Sequence, residues 1–328
     1  MARVLVLGGA GFIGYHLAVR LADEGHALTL VDDLSRGRAD AALAALCARP
    51  GVRFVEADLT MPGALHVLSR DWDQVYMLAA VVGVRNVERD PARVLRTNTL
   101  ALQQVLDWLP AAGETLFFSS TSEVYAGSVA LGLAGVPTGE DVALTIPDAG
   151  APRTAYALSK ILGEAAVIHA GRARGLRWVI GRYHNVYGPR MGADHVIPEL
   201  ALRAIRREDP FRLYGARQRR AFCHVADAVD ATLSLASTEA ARGRVVNIGN
   251  DAEETVIEDL AELVLRRAGY RPAIERVPAP AGSPERRCPD LRRLRALTGL
   301  APKVSLETGL AETFDWYSAR YAAPGGGR

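Results

Sequence analysis

The sequence of 328 residues is poor in cysteine, holding only Cys47, Cys223 and Cys288. They are far apart, odd in number and free of any C-x-x-C spacing, which argues against a disulfide framework and a zinc site and fits a reducing compartment. Net charge is also missing: 39 Lys and Arg stand against 37 Asp and Glu, a formal +2. There is therefore no general electrostatic reason to expect nucleic acid or a membrane surface as partner. No apolar run reaches the length of a membrane span, and a strand begins within three residues of Met1, so we expect no signal peptide and a cytoplasmic protein. His184, His195 and His224 are too scattered for a metal site. Internal repeats are absent, and only the Gly-rich tail after Ala322 reads as low in complexity.

What is present starts at the N-terminus. Val4-Leu5-Val6-Leu7 is an uninterrupted β-prone run, as expected of a parallel strand buried on both faces, and it breaks into Gly8-Gly9-Ala10-Gly11-Phe12-Ile13-Gly14. The pattern is strand, phosphate loop, helix. Gly8, Gly9 and Gly11 permit a tight turn and close backbone approach to a pyrophosphate, Gly14 lets helix pack on strand, and the helix N-terminus offers free N–H groups to negative charge. Ala27 to Val31 forms a second strand ending at Asp32, eighteen residues after Gly14. A carboxylate at that tip accepts the hydroxyls of an adenosine ribose and repels a 2′-phosphate, so NAD is expected over NADP. Asp33 competes for this role but reads better as a turn or cap residue, and Arg36 leaves some use of NADP open.

The alternation continues through an alanine-rich helix at about Ala39 to Ala48, a third strand from Val52 to Ala57 closing on Asp58, and a fourth from Val75 to Ala80. Asp58 is either a contact for the adenine amine or a solvated strand-end carboxylate. Asp90 caps a long helix from Pro91 to Leu109, and Leu116 to Ser120 is the fifth strand. Glycine, proline and alanine dominate from Ala126 to Pro152, which predicts a long irregular loop over the active site. A helix carrying Tyr156 then runs to about Gly171, followed by a sixth strand from Leu176 to Arg182. Beyond Arg182 the elements shorten. We divide the chain into a dinucleotide domain, 1–181, and a smaller substrate domain, 182–328, with a soft boundary because segments such as 221–250 can return to the main sheet. Leu306 to about Tyr321 closes the chain as an amphipathic helix.

Tyr156 and Lys160 stand at i and i+4, on one helical face about 6 Å apart along the axis. A phenol with its ordinary pKa of about 10 is a poor base at neutral pH, but a nearby ammonium and a nicotinamide ring both favour phenolate. The plain alternative is a surface Tyr-Lys pair.

These features combine with Asp32-Asp33-Leu34, Ser119-Ser120-Thr121-Ser122-Glu123-Val124-Tyr125, Arg182-Tyr183-His184-Asn185-Val186-Tyr187-Gly188-Pro189-Arg190 and Arg220-x-Phe222-x-His224-Val225-x-Asp227. In that order, over nearly the whole chain, they resemble the extended short-chain dehydrogenase/reductase family of NAD-dependent nucleotide-sugar epimerases, dehydratases and decarboxylases. The resemblance implies an α/β fold, a Rossmann-type doubly wound parallel sheet with a partly interleaved α/β nucleotide-sugar domain. It implies cofactor contacts from the loop residues Gly8, Gly11, Phe12, Ile13 and Gly14, and from the strand tips at Asp32, Asp33, Asp58 and Leu59. Leu78, Ala79, Ala80 and Asn98 complete that set with Tyr156 and Lys160. Tyr156 becomes the catalytic base, Lys160 holds the nicotinamide ribose and lowers the phenol pKa, and Thr121 bonds the reacting sugar hydroxyl. Glu123 is either a participant in the chemistry or a carboxylate anchoring its loop. Ser122, Asn185 and Arg220 are expected at the substrate, with one of Arg286 and Arg287 on its diphosphate.

Thr121-Ser122-Glu123 lacks the Asp that 4,6-dehydratases carry at the middle position. The expected activity is a nucleotide-sugar epimerase, inverting C4 of a hexose-type sugar through a transient keto-sugar with NAD recycled. Glucuronate decarboxylation is the main alternative, ahead of 4,6-dehydration or a non-catalytic dinucleotide-binding sensor. A homodimer is expected through the helices at Pro91 to Leu109 and Tyr156 to Gly171, as is common in the family.

Overall fold

The computed structural model describes residues 1–110, 115–280 and 282–321. The Gly-rich tail after Ala322 lies outside them.

Seven parallel strands form the centre: β1 (Arg3–Leu7), β2 (Ala27–Asp32), β3 (Val52–Glu56), β4 (Gln74–Met77), β5 (Thr115–Thr121), β6 (Arg177–Tyr183) and, far along the chain, Arg244–Ile248. Between β6 and that last strand lie four short ones, β7 (Val186–Tyr187), β8 (Phe211–Tyr214), β9 (Arg219–Ala221) and β10 (Cys223–His224), which makes it β11. The order is β11-β6-β5-β4-β1-β2-β3. The chain thus winds outward one way through β2 and β3, then reverses through β4, and the crevice at the carboxyl ends of β1 and β4 is the topological switch point where such sheets bind ligands.

Buried strands alternate between two cores. Val4 and Val6 join the cluster on one face, and Leu5 and Leu7 the cluster on the other. Period-two alternation with both faces apolar makes the run look continuous in sequence. Each fully buried Leu contributes about 1.5–3 kcal/mol relative to exposure. On the first face pack α1 (Phe12–Asp23), the short α2 (Ala41–Cys47) and α8 (Val225–Ser237). On the second pack α4 (Pro91–Trp108) and α6 (Thr154–Arg174); Val87 of α3 (Val84–Arg89) clusters with Val94 and Ala155 of those helices, and α5 (Ala126–Ala130) follows β5. A separate core joins α7 (Val196–Ile205), α9 (Ile257–Ala268) and α11 (Leu306–Tyr321). The remaining elements are β12 (Glu254–Val256), β13 (Ile274–Val277), β14 (Arg286–Arg287) and α10 (Arg292–Thr298).

The expected elements are present with shifted ends. Asp90 caps α4 by accepting the Arg93 N–H at 2.9 Å. The helix expected at about Ala39 to Ala48 starts at Ala41, because Asp40 is its N-cap and accepts the Leu43 N–H at 3.1 Å. β4 stops at Met77, so Leu78, Ala79 and Ala80 form a loop, its bend held by Leu78 and Ala79 N–H groups that both donate to the Leu7 carbonyl. The stretch from Ala126 to Pro152 is not wholly irregular: it opens with α5, and Thr138 pairs with Pro289. Val245-Val246-Asn247-Ile248 does return to the main sheet, alongside β6. Among the described residues no helix is long and apolar enough to cross a membrane.

Candidate active site

The glycine loop closes over the end of β1. Gly8 has φ +90°, and a Cβ on Gly14 would collide with the Gly8 carbonyl oxygen, so both positions need glycine. Gly11 is the N-cap of α1 and offers no side-chain cap, and the first turn carries no acid. Its Phe12 and Ile13 N–H groups face the position where a pyrophosphate binds in this topology. Asp32 is buried at the tip of β2. It accepts the Ala10 N–H at 3.1 Å and the Leu34 N–H at 2.9 Å, which fastens the strand tip to the glycine loop. Burial raises its pKa, and those backbone bonds oppose the rise. A carboxylate so placed fits a dinucleotide's ribose.

Neighbouring residues have other partners. Asp33 accepts from Ser35 and Asp58 from Thr60, each closing its own turn from an exposed position. Leu59 is buried in the second core. Arg36 donates to the Val82 carbonyl. Asn98 brackets the loop after β4: its oxygen accepts the Val81 N–H at 2.7 Å, and its amide donates to the Val81 carbonyl and to Ser159, each at 3.1 Å. Expected as a cofactor contact, it is foremost the brace of the loop that a cofactor would touch.

β5 delivers Thr121, the 3-10 turn after it (Ser122–Tyr125) delivers Glu123, and α6 delivers Tyr156 and Lys160. Burial drives the Tyr156 phenol above its ordinary range and Glu123 adds to this, while the Thr121 hydroxyl and the Arg36 charge oppose it. Lys160 is buried beside β5. Its ammonium donates to the Ser119 carbonyl at 2.7 Å and lies 6.0 Å from the Tyr156 ring, and burial pushes its pKa down to about 7 against the pull of Glu164. Arg36 supplies the cation that acts on Tyr156 here.

The arginines separate clearly. Arg286 points outward, bonded through two nitrogens to Glu254 at 2.7 and 2.9 Å. Arg287, the next residue on β14, points inward and donates to Glu123 at 2.8 Å. Burial alone would raise the Glu123 pKa. The charge and hydrogen bond of Arg287, aided by Arg153 and Arg220, outweigh burial and hold it below the ordinary carboxylate range. Arg220 is buried and donates to the carbonyls of Arg219, Pro284 and Glu285 and to Gln218, and burial pushes its pKa down to about 10. It braces the strand that presents Arg287. Asn185, in the left-handed region at φ +40°, donates to the Ala221 carbonyl at 2.9 Å, and Ser122 is buried.

Sequence reasoning missed the support behind these residues. Arg182 at the end of β6 forms two bonds to Glu164 of α6, at 2.9 and 2.6 Å, and donates to the Tyr125 hydroxyl at 2.7 Å. Tyr125 in turn donates to Asn247 of β11 at 2.8 Å, and Asn247 donates to the carbonyls of Thr138 and Asp290. This chain ties three strand ends to the Ala126–Pro152 stretch and to the segment following Arg287. A signal was available: a charged residue inside an apolar parallel strand is buried with a partner or not at all. Among the described residues no group of three or more metal-ligating side chains occurs.

A model of the NAD dependent epimerase/dehydratase family matches residues 4–249. The chain belongs to this family. Its cofactor is accordingly NAD, and the glycine loop and Asp32 fit that dinucleotide. UDP-N-acetyl-alpha-D-glucosaminuronate decarboxylase of Bacillus cytotoxicus is 32% identical over 326 residues, covering 96% of this chain and 97% of that one. UDP-glucuronic acid decarboxylase 1 of Danio rerio is 31% identical over 319 residues, 96% of this chain and 72% of that one. Among solved structures, UDP-glucuronic acid 4-epimerase of Bacillus cereus, crystallised with UDP-glucuronic acid and NAD, superposes with a TM-score of 0.85 at 25% identity, covering 97% and 99%.

Proposed function

We propose that this family member decarboxylates a nucleoside-diphosphate hexuronate, with residues 1–181 holding NAD and 182–328 the nucleotide sugar. One observation carries the reading. Glu123 is acted on by Arg287, Arg153 and Arg220; Arg153 is ion-paired with Glu88 and Arg287 with Glu123, which leaves the Arg220 guanidinium as charge that no carboxylate among the described residues answers. A neutral hexose leaves that excess unanswered. A sugar carboxylate answers it, because guanidinium groups bind carboxylates with strong, directed hydrogen bonds. The decarboxylase relatives at 31% and 32% identity support the same choice over the hexose epimerase expected from the sequence.

In this reading Tyr156 accepts the proton of the sugar C4 hydroxyl and Thr121 orients that hydroxyl. NAD, when bound, supplies a hydride acceptor and later a hydride donor. Once C4 is a ketone, the C6 carboxylate lies β to it. The C5–C6 bond then breaks to release carbon dioxide, its electron pair passes into the C4 carbonyl, and the enolate is protonated at C5. Glu123 holds Arg287 in place until the substrate carboxylate arrives.

The 25% identical 4-epimerase structure supports a second reading, inversion of C4 in the same acidic sugar. Incubation with UDP-glucuronate separates the two. Carbon dioxide and a UDP-pentose are expected, UDP-galacturonate of unchanged mass would favour the epimerase, and turnover of neutral UDP-hexoses alone would overturn both. We also propose a homodimer through α4 and α6, where Leu95 and Leu162 are exposed, and light scattering tests it.

A further inference from the structure

The proposed chemistry assigns Arg36 no part. It stands in the turn after β2, and that turn is fastened to the glycine loop on either side of it. Asp32 accepts the Ala10 N–H at 3.1 Å, and the Arg38 N–H donates to the Ala10 carbonyl at 3.1 Å. Gly37 makes this fit possible, since a Cβ there would come within 2.6 Å of the Asp32 carboxylate and 2.7 Å of the Ala10 Cβ. The backbone of Arg36 is thereby held beside the glycine loop, on its β2 side.

Its side chain ends on the other side. Nη1 donates to the Val82 carbonyl in the loop after β4. Nη2 lies 3.8 Å from the point where a Gly83 side chain would begin and 3.4 Å from the same point on Gly192, in the segment after β7. In the sheet β1 runs between β2 and β4. A side chain rooted beside β2 and bonded beside β4 therefore crosses the carboxyl end of β1, in front of the first turn of α1. The charge of Arg36 also reaches the Tyr156 phenol, which places the guanidinium inside the crevice.

No protein group answers that charge directly. Among the described residues no carboxylate lies within ion-pair distance of Arg36, and its Nε and Nη2 have no hydrogen-bond partner. Asp194 acts on it through space but is paired with Arg85 at 3.2 Å. Desolvation by the surrounding walls lowers the Arg36 pKa, yet the residue stays exposed, as a group lining a crevice does. Most of the donor fork is thus unused. The cofactor of this family, NAD, carries a doubly charged pyrophosphate, and a helix N-terminus offers only about half an elementary charge against it. The first turn of α1, Phe12 to Tyr15, contributes no Lys or Arg.

We propose that Arg36 is the counter-charge for the dinucleotide's pyrophosphate, a strap laid from the turn after β2, across the glycine loop, to the loop after β4. It acts on NAD itself, beside an Asp32 that fits the ribose, and is not a reader of a 2′-phosphate. The inference depends neither on the sugar nor on decarboxylation.

The test is equilibrium binding of NAD, NADP, ADP and adenosine to the full chain freed of nucleotide, followed by calorimetry. ADP carries both phosphates of the pyrophosphate and adenosine neither. Arg36→Met should weaken NAD and ADP about ten- to a hundredfold, through loss of a charged hydrogen bond, and leave adenosine unchanged. Arg36→Lys keeps the charge without the fork and should recover part of the loss. An equal loss on adenosine would make Arg36 a brace of the whole site and overturn the proposal. So would a loss on NAD with ADP unchanged, a loss on NADP alone, or unchanged binding of all four. A measurement on the wild type guards against a variant that fails to fold. ADP, and not adenosine, should shield Arg36 from phenylglyoxal, read by peptide mass, and equal modification with and without ADP overturns the strap. Neither measurement needs a sugar substrate or turnover, so failure of the decarboxylase reading stays distinguishable from failure of this one.

Discussion

Two glutamate–arginine pairs in this protein have the same chemistry and opposite surroundings. Glu164 and Arg182 are each 5% exposed and joined by two bonds, in a bracket completed by Tyr125 and Asn247. Glu123 and Arg287 share one bond, with side chains 39% and 16% exposed, at the mouth of the crevice. The first pair is shut off from water, and its other bonds, Ser120 to Glu164 and Arg182 to Tyr125 and the Glu140 carbonyl, are internal as well. The second can exchange partners. Burial turns an ion pair into architecture, and partial exposure leaves it available for chemistry.

The largest effect expected from breaking this contrast is at the buried pair. Arg182→Ala leaves Glu164 charged and unpaired in a dry site and should destabilise the fold by about 3–5 kcal/mol, read from urea unfolding. A loss below about 1 kcal/mol would mean that water reaches the bracket. At the crevice, Tyr156→Phe should reduce turnover by about 10²–10⁴-fold with little change in melting temperature, which stopped-time assays and calorimetry measure together. Arg287→Met is the direct counterpart of Arg182→Ala. It should reduce kcat/KM on an acidic sugar by about ten- to a hundredfold, through loss of a charged hydrogen bond, and change stability by less than about 1 kcal/mol. Equal stability losses at Arg182 and Arg287 would erase the distinction between the two regions.

A further effect is acid sensitivity, and its sign follows from His184. The folded pKa is depressed to about 3, while the unfolded ring titrates near 6.5. The unfolded chain therefore binds the extra proton first, so the contribution of His184 is present above about pH 6.5 and declines as pH falls toward 3. Glu123 acts in the same direction at lower pH, because its folded value lies below the ordinary carboxylate range. Unfolding free energies measured from pH 7 to pH 4 should fall with a slope that flattens in His184→Phe. An unchanged slope would assign acid sensitivity to other groups.

Much of the site was legible because its residues lie at turns set by local rules. The Gly8–Gly14 spacing, Asp32 at a strand tip and the i, i+4 relation of Tyr156 and Lys160 are all short-range features. The choice between Arg286 and Arg287 was not, since adjacent residues on a strand face opposite ways and only pairing with β9 says which way is inward. The surroundings of Lys160 were not legible for a similar reason. Its spacing from Tyr156 is local, but its depressed pKa and its bond to Ser119 depend on burial by β5, which no spacing reveals.

By itself, the sequence determined a doubly wound parallel sheet, a dinucleotide loop that fits NAD and membership of a nucleotide-sugar family. The first two follow from periodicity and backbone sterics acting over a few residues, and the third from the resemblance of motifs spread along the chain. Tertiary structure alone decided that Arg182 would be locked to Glu164 and Arg287 turned to Glu123. Those partners lie 18 and 164 residues apart, and the strength of a charge depends on how much water the surrounding fold removes from it.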